Sequence, residues 1–140
     1  MIFKRPIKEI MTKDLITLSP DDRLTKAKEL FDKYGMHHIP VVEFRKIVGL
    51  LSKSDFLLYV NSISDGGGVE VKEDQKLSFS KVKQVMVTRL GKLEPDDRIE
   101  VAIDIFLKNY FHCLPVVEGD ELLGLVTPFD ILKFVSKEIQ

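Results

Sequence analysis

The sequence predicts an α+β fold made of two tandem β-α-β-β-α repeats, and three observations carry that prediction. Residues 7–60 align with residues 82–135 at a constant offset of 75, without a gap and with 21 identities. Each half alternates between apolar residues at helical spacing and short β-rich runs, in the order strand, helix, strand, strand, helix. One heptapeptide pattern occurs in both halves, Gly49-Leu50-Leu51-Ser52-Lys53-Ser54-Asp55 and Gly124-Leu125-Val126-Thr127-Pro128-Phe129-Asp130. Self-similarity over this length marks an internal duplication. A half of roughly sixty residues is marginal as an independent core, so the two halves are expected to pack as one pseudo-two-fold body.

In the first half, Ile7 to Met11 reads as a helical turn and Leu15 to Leu18 as a strand. Ser19-Pro20-Asp21-Asp22 reads as a helix start, with a capping hydroxyl, proline at the first position and two carboxylates against the dipole. Leu24, Ala27, Leu30, Phe31 and Tyr34 then fall on one face, and Gly35 ends the helix. His38–Glu43 and Lys46–Leu51 read as a hairpin, and a last helix follows Ser52 with Phe56, Leu57 and Val60. The second half repeats this order: Leu90 to Leu93, a helix from Pro95, strands near Cys113–Glu118 and Glu121–Val126, and a helix after Thr127. Ile103 and Leu107 widen the apolar face of the Pro95 helix, which points to a dimer contact there. Asn61 to Ser80, with Asp65-Gly66-Gly67-Gly68 and a charged stretch, reads as an exposed connection. The expected division is therefore 1–64 for the first repeat, 65–80 for the linker and 81–140 for the second repeat.

The heptapeptide carries the candidate chemistry. Its hydroxyl is placed to cap a helix, with Asp55 or Asp130 at the third helical position and Pro128 at the first. Amide groups at such a helix start suit a phosphate, and an adjacent carboxylate can accept hydrogen bonds from ribose hydroxyls. The same pattern also serves as a plain capping box on helices that bind nothing.

Composition narrows the function classes. The chain has 140 residues, 44% hydrophobic and 31% charged, with a formal net charge of −1. That balance describes an ordinary globular domain and gives no electrostatic reason to expect nucleic acid or an anionic membrane as partner. One cysteine, Cys113, excludes an internal disulfide and fits a reducing compartment, and no apolar run approaches membrane-spanning length, so a cytoplasmic location is expected. His37, His38, His112 and Cys113 do not form a metal set, because neighbours on a strand point to opposite faces and no carboxylate is spaced with them. Cys113 reads as a small buried apolar residue. With no nucleophile-base pair and no metal set, no enzyme activity is expected.

Taken together, Met11-Thr12, the "SPDD" stretch, "HHIPVVE" and "HCLPVVE", and "GLLSKSD" and "GLVTPFD" resemble a cystathionine-β-synthase (CBS) domain pair, or Bateman module, over nearly the whole chain. The resemblance implies a stand-alone regulatory module binding an adenosine-containing ligand, AMP, ADP, ATP or S-adenosylmethionine, in clefts between the repeats. It also implies that no cofactor is required, the adenine nucleotide being a regulatory ligand, and that the chain forms a homodimer through the CBS helices. Asp55 and Asp130 would hold ribose, and Ser52 and Thr127 would face phosphate. As in modules similar to the regulatory subunit of AMP-activated protein kinase, Ser54 and the basic positions His37, His38 and His112 would join them, with Lys53 beside. Adenine would lie against Ile16, Thr17, Ile39 and Pro40 in the first half, and Leu90, Leu114 and Pro115 in the second. The alternative is a dimerising or docking platform whose clefts stay empty. Because Lys53, Ser54 and His38 become Pro128, Phe129 and Cys113, the two sites are expected to be unequal, with phosphate bound more strongly at Ser52 and Asp55.

Overall fold

A computed structural model describes residues 1–63 and 73–140. The glycine run of the expected linker, within residues 64–72, lies outside the described residues. The fold is α+β, with helices α1 (Leu24–Lys33), α2 (Lys53–Ile63), α3 (Glu73–Phe79), α4 (Ile99–Leu107) and α5 (Pro128–Glu138). Two antiparallel hairpins accompany them, β1 (His38–Glu43) with β2 (Lys46–Ser52), and β3 (Leu114–Glu118) with β4 (Glu121–Val126).

Leu24, Ala27 and Phe31 form the buried stripe of α1, at the spacing expected of a helix with one face on a core. Ser19 to Asp22 does not open this helix, contrary to the reading of "SPDD". The Asp22 carboxylate accepts the Ser19 N–H at 2.7 Å, closing a turn, and Arg23 is still extended as the N-cap. Asp97 does the same to the Glu94 N–H at 2.7 Å. A short acidic side chain that bonds a nearby amide competes with the helix and postpones its start. The strands expected at Leu15–Leu18 and Leu90–Leu93 reduce to single parallel bridges, Leu18 with Val41 and Leu93 with Val116. Each leucine is buried and tied on both sides, its N–H to a proline carbonyl and its C=O to a valine N–H.

The hairpins are near copies. Val41 faces Gly49 and Val42 faces Ile47, so one extra residue bulges from β2; Val116 with Gly124 and Val117 with Leu122 repeat the bulge in β4. Their tips differ. Phe44 and Arg45 both have positive φ, 53° and 67°, in the first turn, whereas Gly119 takes φ 62° in the second. Within the expected connection, Glu73–Phe79 is helical and Leu77 is buried. The Tyr59 and Ser80 hydroxyls meet at 2.7 Å beside it, so this stretch is part of a core rather than a solvated strap.

The chain divides into two compact units, Ile16–Arg89 and Met1–Leu15 with Leu90–Gln140. They do not follow the repeats of the sequence. In the unit holding the first heptapeptide, Leu18, Phe31, Leu51, Phe56, Leu77 and Val82 share one core. In the other, Ile7, Leu93, Ile99, Leu114, Val126 and Phe134 do so. Thus Val82, at the head of the second repeat, completes the core of the first, and Ile7, at the head of the first, completes that of the second. The hydrogen bonds match at the offset of 75: Leu24 N–H to Ser80 O and Val82 N–H to Asp22 O in one unit, Ile99 N–H to Arg5 O and Ile7 N–H to Asp97 O in the other.

Candidate functional site

Each leading segment reaches the heptapeptide of its unit across a glycine. A Cβ on Gly49 would stand 2.6 Å from the Met86 Sδ, and one on Gly124 would stand 2.7 Å from the Met11 Sδ. A side chain there would have to displace the methionine, which packs directly against the glycine. The next residue then pairs with the strand through its backbone: Val87 with Leu50 at 2.8 and 2.9 Å, Thr12 with Leu125 at 2.8 and 3.0 Å. Val87 and Thr12 are thereby brought to the strand end that leads into Asp55 and Asp130 respectively.

At the first motif, Ser52 caps α2 by accepting the Asp55 N–H on its hydroxyl at 3.0 Å, and its Oγ lies 3.3 Å from that of Ser54. The Lys53 N–H is taken by the His37 carbonyl at 2.8 Å, and His38 stands opposite Ser52 in the β1–β2 ladder. Ser52, Lys53, Ser54, Asp55, His37 and His38 are therefore gathered around one helix start. No donor among the described residues reaches the Asp55 carboxylate, which is half-buried at the third position of the helix. A positive helix end, two hydroxyls and an unengaged carboxylate together can hold an anionic group and a diol.

The second motif is built alike and spent differently. Asp130 is only 5% exposed. Its Oδ2 accepts the Thr127 N–H at 2.9 Å and lies 3.3 Å from the Thr127 hydroxyl; its Oδ1 accepts the Thr12 hydroxyl at 3.0 Å. Lys133 approaches Oδ1 to 3.7 Å while lying over the Phe129 ring. Pro128 has no N–H to match the bond between Lys53 and His37. His112 is exposed, and Cys113 is buried. Burial, and then the nearby Asp130 charge, push the Cys113 thiol up to about 12, so it stays neutral and is a poor nucleophile at ordinary pH.

The residues expected to meet adenine divide by burial. Ile16, Thr17 and Leu90 keep some exposed surface, whereas Ile39 and Leu114 are 0% exposed within the cores and Pro40 and Pro115 are buried. Ile39 and Leu114 present no side-chain surface to a ligand. Ile103, expected at a dimer face, packs against its own unit's core, while Leu107 at the end of α4 is exposed. Thr12 and Lys133 were not among the candidates, although the Thr12/Val87 mismatch was visible in the alignment. The bond that makes Thr12 matter spans 118 positions. A hollow of about 280 Å³ beside α5 is lined by Arg5, Glu9, Asp130, Lys133 and Glu138 among others, and Arg5 pairs with Glu9 at 2.6 Å and Glu138 at 3.3 Å. Among the described residues no group of three or more His, Cys, Asp or Glu side chains could hold a metal ion, and no helix is long and apolar enough to cross a membrane.

The chain is 32% identical over 127 residues to an inosine-5'-monophosphate dehydrogenase of Methanocaldococcus jannaschii, covering 89% of this chain and 22% of that protein's length. It is 30% identical over 135 residues to the CBS domain-containing protein MJ0729 of the same organism, covering 96% of each. Among solved structures, it resembles that of CBSX2 in complex with AMP, with a TM-score of 0.80 at 21% identity, covering 97% of this chain and 99% of that one. The CBS domain model matches twice, at residues 7–62 and 82–137, and these matches show that the chain belongs to the CBS domain family.

Proposed function

We propose that the protein is a regulatory, non-catalytic module that binds an adenosine nucleotide, with its principal site at the start of α2. The observation that carries this reading is the unengaged Asp55 carboxylate beside the paired Ser52 and Ser54 hydroxyls. In this assignment Asp55 accepts hydrogen bonds from the two ribose hydroxyls. The Ser52 and Ser54 hydroxyls and the Ser54 N–H at the positive end of α2 face phosphate, with the side chains of Lys53, His37 and His38 supplying further donors. Thr127 and His112 are the weaker counterparts in the second motif. The solved structure of the same fold that holds AMP supports the ligand class. A phosphate-bearing ligand is favoured over S-adenosylmethionine by the two hydroxyls and the positive helix end at this site.

Isothermal titration of the purified chain with AMP, and separately with S-adenosylmethionine, tests the proposal. AMP is expected to bind, Asp55→Ala to weaken that binding about a hundredfold, and Asp130→Ala to leave it. The opposite pattern, with binding lost in Asp130→Ala and kept in Asp55→Ala, overturns the assignment. AMP at one hundred times its dissociation constant should stabilise the fold by about 2.7 kcal/mol. If neither compound binds or shifts unfolding, the docking-platform reading takes its place.

That second reading has its own observation, because Leu57 and Leu58 on α2 and Phe129 and Leu132 on α5 are exposed large apolar residues. We propose a homodimer through these helices, which sedimentation or light scattering checks by mass. Leu58→Lys is expected to shift the mass toward that of one chain.

A further inference from the structure

Part of the difference in hydrogen bonding at the two aspartates lies in one side chain that the duplication did not keep. Thr12 and Val87 occupy the same place, each following the methionine that fills the glycine gap and each paired by backbone to the strand before the motif. Thr12 carries a hydroxyl, and it donates to Asp130 Oδ1 at 3.0 Å. Val87 carries none, and no side chain among the described residues donates to the Asp55 carboxylate. A carboxylate offers about four acceptor positions. At Asp130, Oδ2 serves Thr127 and Oδ1 serves Thr12 and faces Lys133, so the positions a vicinal diol would need on both oxygens are largely filled.

We infer that Thr12 sets the ligand stoichiometry of the chain: its hydroxyl stands where one sugar hydroxyl would bind and keeps the Asp130 site closed, leaving one nucleotide per chain at Asp55. The inference rests on the nucleotide-binding reading above and adds a specificity-determining residue to it. Position 12 tolerates valine by the protein's own example, because Val87 makes the same two backbone bonds in the other unit.

The test is a pair of reciprocal variants in the full chain, Thr12→Val and Val87→Thr, titrated calorimetrically with AMP, with Thr12→Ala as a second variant. The wild-type chain is expected to bind one AMP. Thr12→Val or Thr12→Ala is expected to bind two, the second lost on adding Asp130→Ala. Val87→Thr is expected to weaken the Asp55 site by roughly tenfold, as for one contested hydrogen bond. If wild-type binds one AMP and neither Thr12 variant gains a second, the inference is overturned while the function stands. Two AMP per wild-type chain also overturn it. If AMP binds to none of these proteins, both readings fall together.

Discussion

At the start of α2 a serine hydroxyl does the capping and the aspartate contributes only its backbone N–H. At the start of α5 the aspartate's carboxylate accepts the backbone N–H of the capping residue, and a threonine from the far end of the chain takes another of its acceptor positions. The same hydroxyl-to-aspartate spacing therefore supports two different uses of the carboxylate. Used as structure, it is buried and largely engaged; left aside, it remains half-buried with no donor to it among the described residues. The difference teaches that a capping box and a ligand site are alternative assignments of the same lone pairs, decided by which donors lie nearby.

The largest expected effect is on binding. Two hydrogen bonds from ribose to a charged acceptor at about 1.5 kcal/mol each predict that Asp55→Ala weakens AMP by about a hundredfold, measured by titration, with little change from Asp130→Ala. Stability should show the reverse. Asp130→Ala removes an acceptor for Thr127 and Thr12 inside a buried setting and should cost about 2 kcal/mol in urea unfolding. Asp55→Ala loses only a favourable helix-end charge and should cost less than about 1 kcal/mol. Equal losses from the two alanines would erase the distinction. Ser52→Ala, which deletes the hydroxyl cap of α2, should cost about 1 kcal/mol.

The smallest effect near neutrality concerns Cys113, the counterpart of His38. Its folded value is raised above the ordinary 9.0 to about 12, so the neutral thiol is the form the fold accommodates. The associated stability is complete below about pH 9 and is lost as pH rises toward 12. Cys113→Ala should flatten that alkaline decline in denaturant titrations, and the native thiol should resist alkylation at pH 8 until the protein is unfolded.

Much of this was legible in the sequence, because it is local. Most of the helix faces, both hairpins and the serine cap follow from periodicity and spacing within a few residues, although Tyr34, expected on the apolar face of α1, is an exposed C-cap. The shared bulge opposite Val42 and Val117 was not read, although both strands carry the same glycine. The late helix starts escaped because Asp22 and Asp97 fit both a capping role and a turn, and the turn won. The helix containing Leu77 escaped because the charge around that leucine argued for exposure. The pairing of Thr12 with Asp130 escaped for a deeper reason. In a duplicated chain the segment Ile7–Thr12 fits its own repeat or the other about equally well on paper, and nothing in the pattern says which is chosen.

That choice has a consequence for anyone who would divide the molecule. The duplicated stretch and the folding piece are out of phase, so a cut at residue 64 or 81 strips each fragment of the anchor, Ile7 or Val82, that seals it. The seams that respect the packing fall after Leu15 and after Arg89, and only the middle fragment, Ile16–Arg89, is continuous. The outer piece must be joined from two ends of the chain, which makes the first fifteen residues the keystone of the half farthest from them in sequence.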